Sequence, residues 1–224
     1  MGKNLLVLSN ASLELIPREL WGGKQVSASA RKRHKNPGEM LLDVSLHGWD
    51  MEKLVGKESR GRPDIVHQCL LDVIDSPAHL LGLLDVVVEL RGEGGLMFFR
   101  PDVRLPRNYD QFKGLMEQVL VHGRAPLGGD PLIWIEHRDL GDYLKELGYE
   151  VYVMESEGSF LDVSSIPAEG AAYIVGAFQE GEMPKKTLAL GHIYSLGQLK
   201  LTANAVVSLI SCSLYMKHLG LFSR

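Results

Sequence analysis

Ala171-Ala172-Tyr173-Ile174-Val175, running into Gly176-Ala177-Phe178-Gln179-Glu180-Gly181, reads as a buried strand that opens onto a glycine-bracketed loop. The segments around it alternate in the same way. Pro131–Ile135 is a strand, 140–147 a helix, 149–154 a strand and 201–219 a long helix. Strands that alternate with helices predict a parallel sheet, and ligands of such sheets lie in the loops at the strands' carboxyl ends. Three loops qualify: Glu155-Ser156-Glu157-Gly158, residues 176–181, and Tyr194-Ser195-Leu196-Gly197-Gln198-Leu199. The middle one lacks G-x-G-x-x-G and leads to Glu182-Met183-Pro184 rather than a helix; it also lacks the Gly-Lys-Ser/Thr of a P-loop. Two readings stand, a plain connecting turn or a site read by backbone amides and apolar side chains, suited to an adenine ring and a thioether.

The first half carries a different signal. Asn4–Ser9 reads as a strand, followed by a helix containing Leu13, Leu15, Ile16 and Leu20, and the basic stretch 31–38 reads as an exposed loop. Residues 83–90 form a valine-rich strand buried on both faces, turning through 91–95 into a hairpin partner at 96–99, and 109–121 is an amphipathic helix. Arg60-Gly61-Arg62-Pro63-Asp64-Ile65-Val66-His67 marks another helix start, with Pro63 in the first turn and two cations ahead of it. It is either a capped surface helix or a phosphate clamp. Val103-Arg104-Leu105-Pro106-Arg107-Asn108-Tyr109 repeats the theme: arginine binds phosphate bidentately and tyrosine offers a stacking face, unless Asp102 or Asp110 pairs with the cations. Asp64 and His67, three residues apart on one helix, are placed to face each other.

The whole chain limits what these features can serve. Its 224 residues, 45% hydrophobic and 23% charged, suit one globular domain. The net charge of -4 argues against holding a polyanion by bulk charge, but residues 1–113 carry 16 Lys+Arg against 15 Asp+Glu while 114–224 carry 8 against 13. A local basic face on an acidic protein results. No apolar run is long enough to cross a bilayer and no signal peptide is recognisable, which predicts a cytoplasmic chain with no membrane partner. Cys69 and Cys212 lie in apolar helical patterns and predict buried free thiols; no Cys/His cluster has metal-ligand spacing. The absence of G-x-S-x-G, paired carboxylates and H-E-x-x-H argues against hydrolysis.

Arg60–Leu71 with Asp75-Ser76-Pro77, then Val103–Tyr109 and Phe112-Lys113-Gly114-Leu115-Met116, resembles the ribosome-biogenesis pseudouridine N(1)-methyltransferases, the Nep/Emg proteins of the SPOUT or α/β-knot superfamily. Leu41-Leu42-Asp43 with Ser45 and His47 is similar to the family's archaeal N-terminal part, and Gly176-Ala177-Phe178 with Gly181 to its second knot loop. The resemblance implies a single α/β-knot methyltransferase domain over 1–224, with RNA-binding elements mainly in 30–113 and a trefoil knot at about 150–219. It also implies a homodimer, S-adenosylmethionine as cofactor, small-subunit rRNA as substrate and ribosome assembly factors as further partners. Position by position, Arg60, Arg62, Arg104, Arg107 and Gln111 become RNA contacts, and Asp64 a base or an arginine-positioning acid. Met154, Gly176, Gly181, Tyr194, Ser195, Leu196 and Leu199 fall where the family holds its cofactor. Gln111 stands where many members carry arginine, and Gln198 where a proline is usual. Two rivals remain: an assembly factor that binds rRNA without catalysis, and a knotted methyltransferase acting on tRNA.

Overall fold

Strand β1 (Asn4–Ala11) is the middle of the molecule because both of its faces are apolar: Leu6 and Leu8 join one core, Leu5 and Val7 another. β7 (Ala171–Gly176) divides its residues in the same period-two way, Tyr173 and Val175 against Ala172 and Ile174. A computed structural model describes residues 2–92 and 94–222; Glu93, within the expected 91–95 turn, lies outside the described residues. Following β1 come α1 (Lys24–Arg33), α2 (Val44–Met51), α3 (Pro63–Ile74), α4 (Pro77–Leu80), β2 (Leu84–Leu90), β3 (Leu96–Phe99) and α5 (Tyr109–His122). β4 (Arg124–Ala125), β5 (Ile133–Glu136), α6 (Leu140–Leu147), β6 (Glu150–Phe160), β7, α7 (Lys185–Leu188), β8 (His192–Ser195) and α8 (Ala203–His218) complete the chain.

Among the described residues the strands form one sheet in the order β4-β5-β3-β2-β1-β7-β6-β8. From β2 to β8 the neighbours are parallel. Residues of α3, α5 and α8 cover one face, and Leu140 and Leu144 of α6 with Met183 cover the other. A smaller core of Ile16, Leu20, Val26, Met40, Leu42, Met51 and Leu54 holds α1 and α2 together as a lobe. No helix of the described residues is long and apolar enough to cross a membrane.

Several local expectations are corrected. Residues 13–20 form no α-helix, only a 3-10 turn at Arg18–Leu20, because their backbone pairs with another segment: Ile16 N–H donates to Met40 C=O at 2.8 Å and Leu42 N–H to Glu14 C=O at 2.9 Å. Arg31–Arg33 are not loop but the last turn of α1, which stops at His34 in the left-handed region (φ 50°). The strand at 131–135 does not extend a parallel sheet; as β5 it pairs antiparallel with β3. The loop expected at 155–158 lies within β6, where a bulge sets both Met154 and Ser159 opposite Tyr194. Cys69 is buried, whereas Cys212 is exposed on α8.

Candidate functional site

Register brings the carboxyl ends of the parallel strands to one level: Ser9 lies beside Gly176, Met154 beside Val175, and Tyr194 beside Met154. The chain beyond those ends encloses a cavity of about 820 Å³. Met154, Gly176, Gly181, Tyr194, Ser195, Leu196 and Leu199 all line it. So do Arg62, Asp64, Ile65 and Gln68 from the start of α3, and Thr202, Ala203 and Asn204 where α8 begins. The arginine motif and the strand-end loops, more than a hundred residues apart in sequence, thus share a wall.

The lining is part apolar and part charged, with the cations Arg62 and Lys200 beside its carboxylates. Met154, Val175, Leu196, Leu199 and Val206 supply hydrocarbon, and Glu155, Glu180 and Asp64 supply carboxylates. Burial and neighbouring Glu157 push the Glu155 carboxyl above its ordinary range. Glycine is needed at two places in the loops. A Cβ on Gly176 would meet the Phe178 ring at 2.9 Å, and Gly181 has φ 120°, which side chains rarely adopt. The volume is that of a drug- or cofactor-sized pocket.

A second, more open groove of about 600 Å³ lies alongside, lined by Asp64, His67, Gln68, Leu71, Asp72, Asp75, Ser76, Arg107 and Tyr109. Asp64 and Gln68 belong to both cavities. Arg62 donates to Asp64 through Nε (2.8 Å) and Nη2 (2.7 Å), and through Nη1 to Gln179 of the strand-end loop. Its backbone N–H donates to Ser12 Oγ at 2.8 Å, so the helix start is tied to the chain beyond β1. Partial burial raises the Asp64 carboxyl, but the two bonds from Arg62 and the helix-start N–H groups outweigh it and leave it below the usual carboxylate range. Asp64 is therefore a charged, committed partner and a weak base.

The other expected residues divide. Arg60 lines neither cavity; it donates to Glu14 from Nε at 2.8 Å, with its side chain only 14% exposed, which ties the segment before α3 to the one after β1. Arg107 pairs with Asp75 at 2.8 Å, not with Asp102 or Asp110, and its side chain is 80% exposed at the groove's edge. Asp102 is taken by Arg100. Arg104 is exposed and, among the described residues, has no ion pair. Gln111 lies outside both cavities, with its N–H on the capping Asn108 Oδ1 at 3.1 Å. His67 does not face Asp64. It is buried, stacks on Phe112 at 4.2 Å and bonds the Pro106 carbonyl at 2.8 Å, which fixes α3 against the 104–107 loop. Tyr109 is no free stacking platform either: its hydroxyl donates to Asp43 at 3.0 Å and Lys113 sits 4.7 Å from its ring centre.

Sequence reasoning missed Gln68 and residues 202–204. Gln68 carried a usable signal, since position i+4 from Asp64 shares its helical face; the start of α8 carried none.

Residues 6–215 match the model of the EMG1/NEP1 methyltransferase family. The chain is 38% identical over 191 residues to the ribosomal RNA small subunit methyltransferase Nep1 of Staphylothermus marinus, covering 83% of each protein. It is 39% identical over 210 residues to the Archaeoglobus fulgidus protein of the same name, covering 92% of this chain and 93% of the other. The crystal structure of Archaeoglobus fulgidus Nep1 bound to S-adenosylhomocysteine superimposes with a TM-score of 0.87 at 35% identity, over 98% of this chain and 100% of that one. With agreement of this extent in both sequence and fold, the chain belongs to the EMG1/NEP1 methyltransferase family.

Proposed function

We propose that this protein uses S-adenosylmethionine to methylate N(1) of a pseudouridine in small-subunit ribosomal RNA, in the cytoplasm, during assembly of that subunit. One observation carries the reading: the Arg62–Asp64 pair stands in the wall of the cavity that the strand-end loops enclose. A relative of the same fold binds S-adenosylhomocysteine, the thioether that such a transfer leaves. S-Adenosylmethionine supplies a methyl carbon on a sulfonium; transfer breaks the S–CH3 bond, forms N(1)–CH3 and releases the N(1) proton.

The chain's own residues bind and orient. Arg107 at the groove's edge and the exposed Arg104 hold RNA phosphates, and Asp64 holds Arg62 in the wall of the strand-end cavity. The whole chain acts as one domain, with RNA contacts mainly in 30–113 and the knot in about 150–219. It works as a homodimer through α8, where Leu209 and Cys212, with Leu219 just beyond its end, leave an apolar stripe exposed.

The test is methyl transfer to a hairpin containing pseudouridine and to its uridine twin. A single methyl gained by the first alone is expected, at N(1) by mass spectrometry of the nucleoside. Equal transfer to both hairpins, or transfer only to tRNA, would overturn the reading.

A further inference from the structure

Gln68 stands at the junction of the two cavities, one helical turn beyond Asp64. Its polar neighbours are committed: Asp64 to Arg62, His67 to the Pro106 carbonyl, Asp75 to Arg107, and Tyr109 to Asp43. Gln68 is exposed, and among the described residues its carboxamide has no hydrogen-bond partner. Arg107 lines only the open groove, and Gln68, with Asp64, lines both that groove and the strand-end cavity. We infer that Gln68 orients the target base, its amide oxygen accepting from N(3)–H of the imide edge and its NH2 donating to O(4). The inference rests on the function proposed above.

The chemistry of the ring gives this grip its use. In pseudouridine the sugar is attached at C(5), and N(1) lies across the ring from C(4). A carboxamide that holds N(3)–H and O(4) therefore leaves N(1)–H on the far side, free to face the methyl donor. Uridine in the same grip would present a nitrogen already bonded to its sugar. A side chain carrying one donor and one acceptor in a plane matches this edge. Asp64, an acceptor only and already spent on Arg62, does not.

The experiment measures single-turnover methylation of a pseudouridine hairpin by the wild type, Gln68→Ala and Gln68→Glu, with cofactor and RNA Kd and Tm for each. A hairpin whose target is N(3)-methylpseudouridine is measured alongside. The expected result is a loss of transfer rate on the order of 10²-fold in both variants, because a displaced base forfeits the in-line geometry, with Tm and cofactor Kd unchanged. The blocked substrate should slow the wild type similarly and slow Gln68→Ala no further. Glutamate fills the same space but donates nothing, so an unimpaired Gln68→Glu variant, or an unimpaired Gln68→Ala variant, would overturn the inference alone. A wild type inactive on the pseudouridine hairpin would overturn the inference together with the proposed function.

Discussion

Replacing Glu117 with alanine is expected to destabilise the protein more than any surface charge change. Glu117 lies on α5 with its side chain 1% exposed, yet it is charged. Arg33 donates to it through Nη1 at 2.6 Å and Nη2 at 2.7 Å, Lys35 through Nζ at 2.6 Å, and Leu41 through its buried backbone N–H at 3.1 Å. One carboxylate thus fastens the end of α1 and the turn after it onto α5. Truncation orphans the Leu41 N–H, which costs about 1–3 kcal/mol. Breaking a buried ion pair costs about 3–5 kcal/mol, but Arg33 and Lys35 are 29% and 37% exposed and can rehydrate, which favours the low end. A total of about 4–6 kcal/mol follows, and a Tm drop of ~15 °C for a chain of this size.

Guanidinium unfolding followed by circular dichroism measures the loss, and its pH dependence tests the cause. Burial raises the Glu117 carboxyl, but Arg33, Lys35 and the Leu41 N–H together hold it below the ordinary range. A depressed carboxyl stabilises the fold fully above its unfolded value, about 4.3, and less as pH falls through the folded one. The gap between wild type and Glu117→Ala should therefore be full at neutral pH and close below about pH 4. A loss under ~1 kcal/mol, or a gap that persists unchanged in acid, would refute the reasoning.

Two further outcomes are expected. Arg104→Ala should weaken hairpin binding and reduce the slope of log K against log salt by about one, with cofactor Kd unchanged, as checked by titration at several salt concentrations; a loss of cofactor affinity would refute the assignment of Arg104 to RNA. Asp64→Asn should retain a measurable transfer rate with the wild type's pH profile above pH 5, because a carboxyl held below its usual range is already ionised there; a rate abolished while RNA and cofactor bind normally would restore Asp64 as the proton acceptor.

What was legible in the sequence was local. Pro63 and Asp64 announce the start of α3 within two residues, and Asp75-Ser76-Pro77 its end, with Ser76 accepting from the His79 N–H to cap α4. The glycines at 176 and 181 likewise mark a loop that closes on itself. What stayed hidden depends on partners far along the chain. Nothing near Arg60 announces Glu14, 46 residues earlier, and nothing near Arg33 announces Glu117, 84 residues later. The same four-arginine pattern therefore contains one tie, Arg60, and three outward or site-facing groups, and composition cannot separate them. β5 was recognisable as a strand, but its antiparallel place beside β3 follows from the β2–β3 hairpin that puts an edge there to be paired.

The state of Asp64 bears on how a nitrogen is readied for methylation. An acid that spends both oxygens on Arg62 has little basicity left to take up the N(1) proton. Arg62, in turn, keeps its guanidinium charged beside the place where the base would lose that proton. A fixed cation lowers the energy of an anion forming next to it, and a preorganised one does so without reorganising in the reaction. Asp64 fixes the guanidinium plane through its two bonds to Arg62. Gln179, reaching Arg62 from the loop after β7, ties the same guanidinium to the cofactor wall. Arg62 is thus the residue at which the arginine motif and the loop after β7 meet, its charge held by Asp64 and its position by Gln179.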